Sequence, residues 1–475
     1  MLALVDRFGV EVMGHTDKKR RGDQRTVEND LSVANYLGDA SFWLDYNCDK
    51  RGRVYSTSHF NYSREDHVRS LFKFAHGMQL GLPARNPDVI SDLNWLETHC
   101  ANCHGETDKK SWTARIEWAA ANRALIEKIA EDPVDTFEAW RDADKPFSFV
   151  AACRELARAW ADPAGFVTHL PIGFDGTCSG IQHLCMLARD EVAAKLVNLT
   201  NADEPQDIYG AVIAKTRSAL ETDENEFARW WRDRLDICKP SHIRKLLKTP
   251  IMTFAYSVTE IGMADQIAEH YEKLFQPNQP IERKAAYYLA LKIMEACKEA
   301  LPGPARVMEY IHDLAKYCTE QDRFLEWRSL TGFPVSNRYQ RPRTKRVPLI
   351  WYGDVYKPTI AVGALPKINK RKALDSAAPN FVHSLDAVHL IRVMLAAQNE
   401  GIINVLTVHD SFACLSPQAT RFNQIIRREL AMLYARQDHL SGLRDHNQID
   451  ADFVKLPEYG RLDPLDVQQS EYPFI

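Results

Sequence analysis

Apolar residues recur along most of this chain at helical spacing, and only a few short runs alternate like strands. From Ser111 to Asp132, the positions Trp112, Ile116, Trp118-Ala119-Ala120 and Leu125-Ile126 predict an amphipathic helix. Ser179 to Arg189 and Gln418 to Gln437 carry the same period. Glu282 to Trp327 is a longer helical stretch, which Pro302-Gly303-Pro304 divides into two helices. Phe166 to Asp175 is strand-like and stops at Gly176. Pro348 to Tyr352 and Val355 to Val362 flank Gly353-Asp354, a two-residue hairpin turn. No internal repeat or low-complexity tract interrupts the pattern. The expected fold class is α+β, mostly helical, with a small sheet at its centre.

At 475 residues and 54.3 kDa the chain is too long for one simple core and should form two or three domains. Its 45% apolar content can fill those cores, yet no run of about 18 apolar residues suggests a membrane span. The amino terminus places its apolar residues before the basic cluster Lys18-Lys19-Arg20-Arg21, the reverse of a secretory signal. A cytoplasmic setting is therefore expected, with an organellar matrix as the alternative. Ten scattered cysteines fit reduced thiols better than a disulfide framework.

A net charge of −4 means that any nucleic-acid partner must be held by local basic surface. Three runs could supply it: Lys18 to Arg25, Arg338 to Arg346, and Lys367 to Lys372. Each could equally be a solvated face.

The candidate chemistry lies elsewhere. Asp175 ends the strand-like Leu170-Pro171-Ile172-Gly173-Phe174-Asp175 and is followed by Gly176-Thr177-Cys178-Ser179-Gly180-Ile181-Gln182-His183. Asp410 lies in Val405-Leu406-Thr407-Val408-His409-Asp410-Ser411-Phe412-Ala413, as expected of a buried hairpin that presents one carboxylate at its tip. Two such carboxylates can hold a pair of Mg²⁺ ions. Between them, Arg244, Lys248 and Tyr256 would fall at about 0°, 40° and 120° around one helix, so that they share a broad face. The two cations can hold a triphosphate and the ring can meet a base or sugar; Lys248 can also give a proton to departing pyrophosphate. Singly, each aspartate reads as a turn former and the helix as an ordinary amphipathic surface. Together they point to metal-dependent nucleotidyl transfer.

On these residues the chain resembles the single-subunit, phage-type DNA-directed RNA polymerases, which include mitochondrial enzymes. Asp175 to His183 is similar to the family's first metal motif, Arg244 to Tyr256 to its nucleotide helix, and His409-Asp410-Ser411-Phe412 to its second metal motif. Asp49-Lys50-Arg51-Gly52-Arg53-Val54-Tyr55 resembles a template-contacting segment, and Ala378 to Asp386 the segment whose histidine reads the ribose 2′-hydroxyl. The resemblance implies a right-hand fold with palm at 41–203 and 384–475, fingers at 204–383, and a remnant of connecting helices at 1–40. It implies Asp175, Lys248 and Asp410 as catalytic, with two Mg²⁺ ions on Asp175, the Gly176 carbonyl and Asp410. One ion would activate the RNA 3′-hydroxyl and the other would stabilise pyrophosphate. Arg244, Tyr256, His383, Tyr209 and Lys109 would bind the nucleotide, and Arg53 and Arg69 the template. The partners would be a DNA template, nascent RNA and ribonucleoside triphosphates, with the chain a monomer, joined or not by a separately encoded amino-terminal part. The basic segment 338–360 lies where the family places its promoter-reading loop, and Phe474-Ile475 resembles its apolar carboxyl terminus, which packs near the active site.

The chain departs from the family pattern at Ser257, usually glycine, and at Pro250, expected to kink the nucleotide helix. It also begins shortly before the Arg51-Gly52-Arg53 segment, where family members carry a long amino-terminal domain. Extension of preformed primer–template is therefore expected in preference to initiation on closed duplex promoters. A DNA polymerase of the A family, or a non-catalytic nucleic-acid-binding remnant, are the alternatives. Cys100-Ala101-Asn102-Cys103-His104 matches the attachment pattern of c-type haem, against which stand chance packing and an incomplete zinc site.

Overall fold

A three-stranded antiparallel sheet lies at the centre of the computed structural model, which describes residues 1–12, 17–81, 90–275, 281–351 and 354–475. Its strands are Leu406–Val408, Ser411–Cys414 and Ile172–Asp175, in that spatial order. Ser411 pairs with Asp175, Phe412 with Phe174, Ala413 with Gly173 and Cys414 with Ile172. Because side chains alternate across a sheet, this register sorts them cleanly. Ile172, Phe174, Phe412 and Cys414 are buried, while Gly173, Asp175, Ser411 and Ala413 line a cleft on the opposite face.

The outer edge of Ile172–Asp175 is covered by the last residues of the chain. Asp175 and Ile475 exchange both backbone hydrogen bonds at 2.9 Å, and the Thr177 amide donates to the Pro473 carbonyl at 3.1 Å. The tail therefore satisfies polar groups that a bare sheet edge would leave unpaired. Phe474 packs into the core beneath, its ring 5.6 Å from His389 and 6.1 Å from Phe412.

Helices enclose this sheet. Ser179–Ala188, buried throughout, packs against Ala377–Asn399 and Pro302–Glu320, and Ala419–Ala435 packs against Ala377–Asn399. A second group, Ile208–Thr222, Glu226–Asp236, Pro240–Phe254, Glu260–Leu274 and Arg283–Ala300, packs mainly on itself. Its core includes Trp231, whose indole donates to the Ala285 carbonyl at 2.9 Å. The amino-terminal helix Leu2–Val12 docks through Phe8, stacked on Phe137 at 4.2 Å. Helices hold more than half of the described residues, in keeping with the mostly helical α+β class.

Several boundaries differ from the sequence reading. The helix expected over 111–132 is two, Trp112–Ala121 and Arg123–Glu131, parted at Asn122. The strand expected over 166–175 is interrupted over 169–171, which includes Pro171 with no amide to donate. Its first part, Val167–Thr168, pairs instead with Met78–Gln79. Asp354 is a strand residue paired with Trp351, so it is not in the turn, and Tyr352 and Gly353 lie outside the described residues. The strand expected over 355–362 is split between Asp354–Tyr356 and Thr359–Ile368. The latter pairs with Gln340–Arg346, and together they form an exposed two-stranded ribbon. The helix Pro240–Phe254 runs through Pro250 as one element.

Candidate active site

Asp175 and Asp410 come together because the sheet register places Asp410 at the hairpin tip beside the end of the neighbouring strand. His409 and Asp410 form a two-residue link between Leu406–Val408 and Ser411–Cys414, with His409 left-handed at φ 57°. The Gly176 amide donates to the Asp410 carbonyl at 3.2 Å, and a Cβ at Gly176 would lie 3.5 Å from Asp410 Oδ2. Both carboxyls are electrostatically uncomfortable. Burial pushes Asp175 up, opposed by the charges of Lys145, Arg69 and Lys248. Asp410 is pushed up to about 8, first by burial and then by the neighbouring carboxylates Asp386 and Asp175.

These residues face a cleft of about 430 Å³, which is also lined by Gly176, Arg69, Lys109, Tyr209, Arg244, Lys248 and Tyr256. Nine of the eleven residues singled out from the sequence thus share one cavity. Arg53 and His383 adjoin it. The His383 and Tyr256 rings lie 5.0 Å apart at 35°. Arg53 donates from Nε to Asp386 at 2.8 Å, with a second bond from Nη2, and the pair is buried.

Arg244 and Lys248 project from one face of Pro240–Phe254, their charged ends 5.3 and 5.8 Å from the Tyr209 ring. Arg244 also pairs with Asp207. Burial raises the Asp207 carboxyl, but its bonds to Arg244 more than reverse this and leave it below its usual range. Asp207 also accepts from the Tyr209 amide at 3.1 Å and so caps the helix Ile208–Thr222. Lys109 is paired with Asp108 at 2.6 Å, and Arg69 donates to the Tyr62 carbonyl at 3.2 Å.

Tyr256 does not stand on the same helix as Arg244 and Lys248. It lies in the turn that closes that helix, where the Val258 amide donates to Thr253 at 3.2 Å and the Ser257 amide to Phe254 at 3.0 Å. These two bonds make a Schellman closure, which requires a left-handed residue at the position Ser257 occupies, and its φ is 55°. The family's usual glycine at this place has its physical explanation there. The turn swings Tyr256 towards Gly180, where an added Cβ would sit 2.9 Å from the tyrosine hydroxyl.

Several residues at the site carry no distinguishing signal in the local sequence. Lys145, beside Asp175, has no sequence signal beyond its charge. Asp207, on Arg244, likewise has no local sequence signal of its own. Arg51 and Asp386 lay inside recognisable segments without a role, and contacts across more than 300 positions connect them to His383 and Arg53. The Cys100–His104 segment is accounted for by packing: both thiols are buried, Cys100 against Cys153 at 3.9 Å and Cys103 against His99 at 3.6 Å. All ten cysteines are free.

The family model for DNA-dependent RNA polymerase matches residues 90–451, a span that contains the whole sheet and the helix bearing Arg244 and Lys248. The chain belongs to this family. Among its curated relatives, the mitochondrial DNA-directed RNA polymerase of Mus musculus is 31% identical over 86% of this chain and 33% of the relative. T7 RNA polymerase of Escherichia phage T7 is 29% identical over 96% of this chain and 56% of the relative. The mitochondrial DNA-directed RNA polymerase 1 of Arabidopsis thaliana is 29% identical over 96% and 46%. The chain thus spans between a third and just over half the length of these relatives. Its kinship is with the phage-type, single-subunit branch, and its fold class is that of a right-hand polymerase. No helix among the described residues is long and apolar enough to cross a membrane.

Proposed function

We propose that this chain carries the catalytic part of a DNA-directed RNA polymerase, adding ribonucleotides to an RNA 3′-hydroxyl on a DNA template. The observation that carries this reading is the single cleft in which Asp175 and Asp410 face Arg244 and Lys248 across an open space. In this reading the palm is 41–203 with 384–475, the fingers are 204–383, and 1–40 are connecting helices.

No cluster of three or more His, Cys, Asp or Glu side chains among the described residues is arranged to hold a metal alone. Asp175 and Asp410 nevertheless fit Mg²⁺, a hard cation that takes few protein carboxylates and completes its shell with carbonyl, water and phosphate oxygens. Two neighbouring carboxyls facing one cleft, one of them pushed up to about 8, are the environment that a divalent charge relieves. Asp175, Asp410 and the Gly176 carbonyl would hold two such ions. When bound, these ions supply Lewis-acid polarisation of the 3′-hydroxyl and of the leaving pyrophosphate.

The remaining work falls to the protein. Arg244 and Lys248 hold the β- and γ-phosphates, and a triphosphate entering the cleft competes with Asp207 for Arg244. Lys248 gives a proton to pyrophosphate as the bond to the α-phosphorus breaks. Tyr209 supports both cations from below. Tyr256 and His383 meet the base and sugar, and Arg53, Arg69 and the ribbon face the nucleic acid.

The test is extension of a labelled RNA primer on a preassembled DNA template, with rNTPs and dNTPs offered separately. Mg²⁺-dependent extension with a preference for rNTPs supports the reading. A preference for dNTPs would indicate a DNA polymerase, and binding without extension a non-catalytic remnant. Asp175→Asn and Asp410→Asn serve as controls. Each removes a charge worth several kcal/mol of transition-state stabilisation, so extension should fall by about a thousandfold or more while the circular dichroism spectrum is retained.

A further inference from the structure

Arg51 lies in the tight turn Asp49–Arg53, between the paired strands Tyr46–Cys48 and Val54–Ser56. Its Nη1 is 2.8 Å from Nδ1 of His383, a residue 332 positions away. A guanidinium has five N–H donors and no acceptor. Nδ1 of His383 must therefore be the lone-pair nitrogen, and the ring proton must sit on Nε2. Burial and the charges of Arg53 and Arg51 lower His383 to about 3, which keeps the ring neutral and agrees with this assignment. Nε2–H has no hydrogen-bond partner among the described residues, while the ring leans on Tyr256 at 5.0 Å.

We infer that Arg51 is a positioning residue for sugar selection: by occupying Nδ1 it fixes His383 as an Nε2–H donor to the 2′-oxygen of an incoming ribonucleotide. This rests on the nucleotide-site reading above and adds a residue to it. The physical consequence is one-sided. A ribose offers an oxygen to the fixed donor, whereas a deoxyribose leaves that donor unpaired in a half-buried site, a loss of about tenfold in relative affinity. Without Arg51 the ring could turn over or exchange tautomers, presenting a lone pair as readily as a donor.

The plainer role for Arg51 is to brace its own hairpin, through Nε to Asp49 at 2.7 Å and Nη2 to the Tyr55 hydroxyl at 3.1 Å. The two roles separate experimentally, because the turn does not need this side chain. Asp49 Oδ1 accepts the backbone amides of Arg51 at 2.8 Å and Arg53 at 3.1 Å.

The experiment measures kcat/KM for rNTP and dNTP on a primer–template scaffold for wild type, Arg51→Met, Arg51→Lys, His383→Ala and the double variant Arg51→Met/His383→Ala. Arg51→Met should lower the rNTP-to-dNTP ratio by about tenfold, mainly through a higher rNTP KM. Arg51→Lys keeps a donor and should retain most of the preference. The double variant should discriminate no worse than His383→Ala, since Arg51 acts through His383. In parallel, long-range ¹H–¹⁵N spectra of histidine-labelled protein without substrate should place the His383 proton on Nε2, and Arg51→Met should mix the tautomers. Absence of extension by the wild type would refute the proposed function while leaving the tautomer measurement to decide the Arg51–His383 relation. Wild-type discrimination in Arg51→Met alongside its loss in His383→Ala, or a proton on Nδ1, would overturn this inference.

Discussion

Gly180 leaves room for Tyr256: a Cβ built on the glycine would lie 2.9 Å from both the hydroxyl oxygen and Cζ of the tyrosine. Real Cβ atoms do not approach so closely, so one side must yield. Tyr256 is half-buried and packed beside His383. Gly180→Ala should therefore push the ring out of place at a cost of about 1–3 kcal/mol, seen as a higher nucleotide KM together with a lowered melting temperature. An unaltered KM would mean that the ring has slack that this packing does not suggest.

The electrostatics of Asp410 make a prediction that needs no turnover. In the unfolded chain its carboxyl ionises near about 4, but in the folded, metal-free protein it keeps its proton up to about 8. Between those values the native state binds more protons than the unfolded state, so this group's contribution to stability falls as pH rises through the window. Asp410→Asn has no proton to lose there. Without Mg²⁺ it should have the higher melting temperature at pH 8, the difference shrinking towards pH 4. Mg²⁺ should stabilise the wild type more than the variant, and less as pH falls below about 8, because protons compete for the carboxyls. Parallel melting curves with and without Mg²⁺ would contradict the assignment.

Ser257 holds a left-handed conformation that closes the helix carrying Arg244 and Lys248. A non-glycine residue there carries a penalty of about 1–2 kcal/mol. Ser257→Gly should recover about 1 kcal/mol of it, raising the denaturant midpoint, whereas Ser257→Ala should recover none. Equal midpoints for the two variants would show that the serine side chain offsets the strain.

The ribbon formed by Gln340–Arg346 and Thr359–Ile368 exposes Arg341, Arg343, Lys345 and Arg346 along one strand. Cations so placed bind phosphates by releasing counter-ions. Arg343→Ala and Lys345→Ala should each flatten the log–log dependence of DNA affinity on salt by about one unit. Their melting temperatures should not move, since both residues are exposed. Salt dependence equal to that of the wild type would remove the ribbon from the nucleic-acid interface.

The sequence by itself determined where chemistry would lie along the chain. Ile172 to Asp175 alternates apolar and small or polar residues, Gly176 stops the run, and His409-Asp410 interrupts another apolar run. These are local signals, because the two-residue period of a strand and the turn that ends it depend on neighbours a few positions apart. Arg244 and Lys248 were legible for the same reason, being one helical turn apart.

The tertiary structure alone decided how these pieces act together. Helical spacing places Tyr256 on the helix, because a serine at 257 does not announce a left-handed closure as a glycine would. Only the closing hydrogen bonds reveal the turn that carries the ring to Gly180 and His383. The alternation over 166–175 could not show that Val167–Thr168 would find a different partner from Ile172–Asp175. Lys145 beside Asp175, Asp207 on Arg244, Asp386 on Arg53 and Arg51 on His383 each join residues that local pattern leaves independent. Such pairs form because packing first brings their elements together. Once buried, each charge or ring nitrogen must then find a partner or shift its proton.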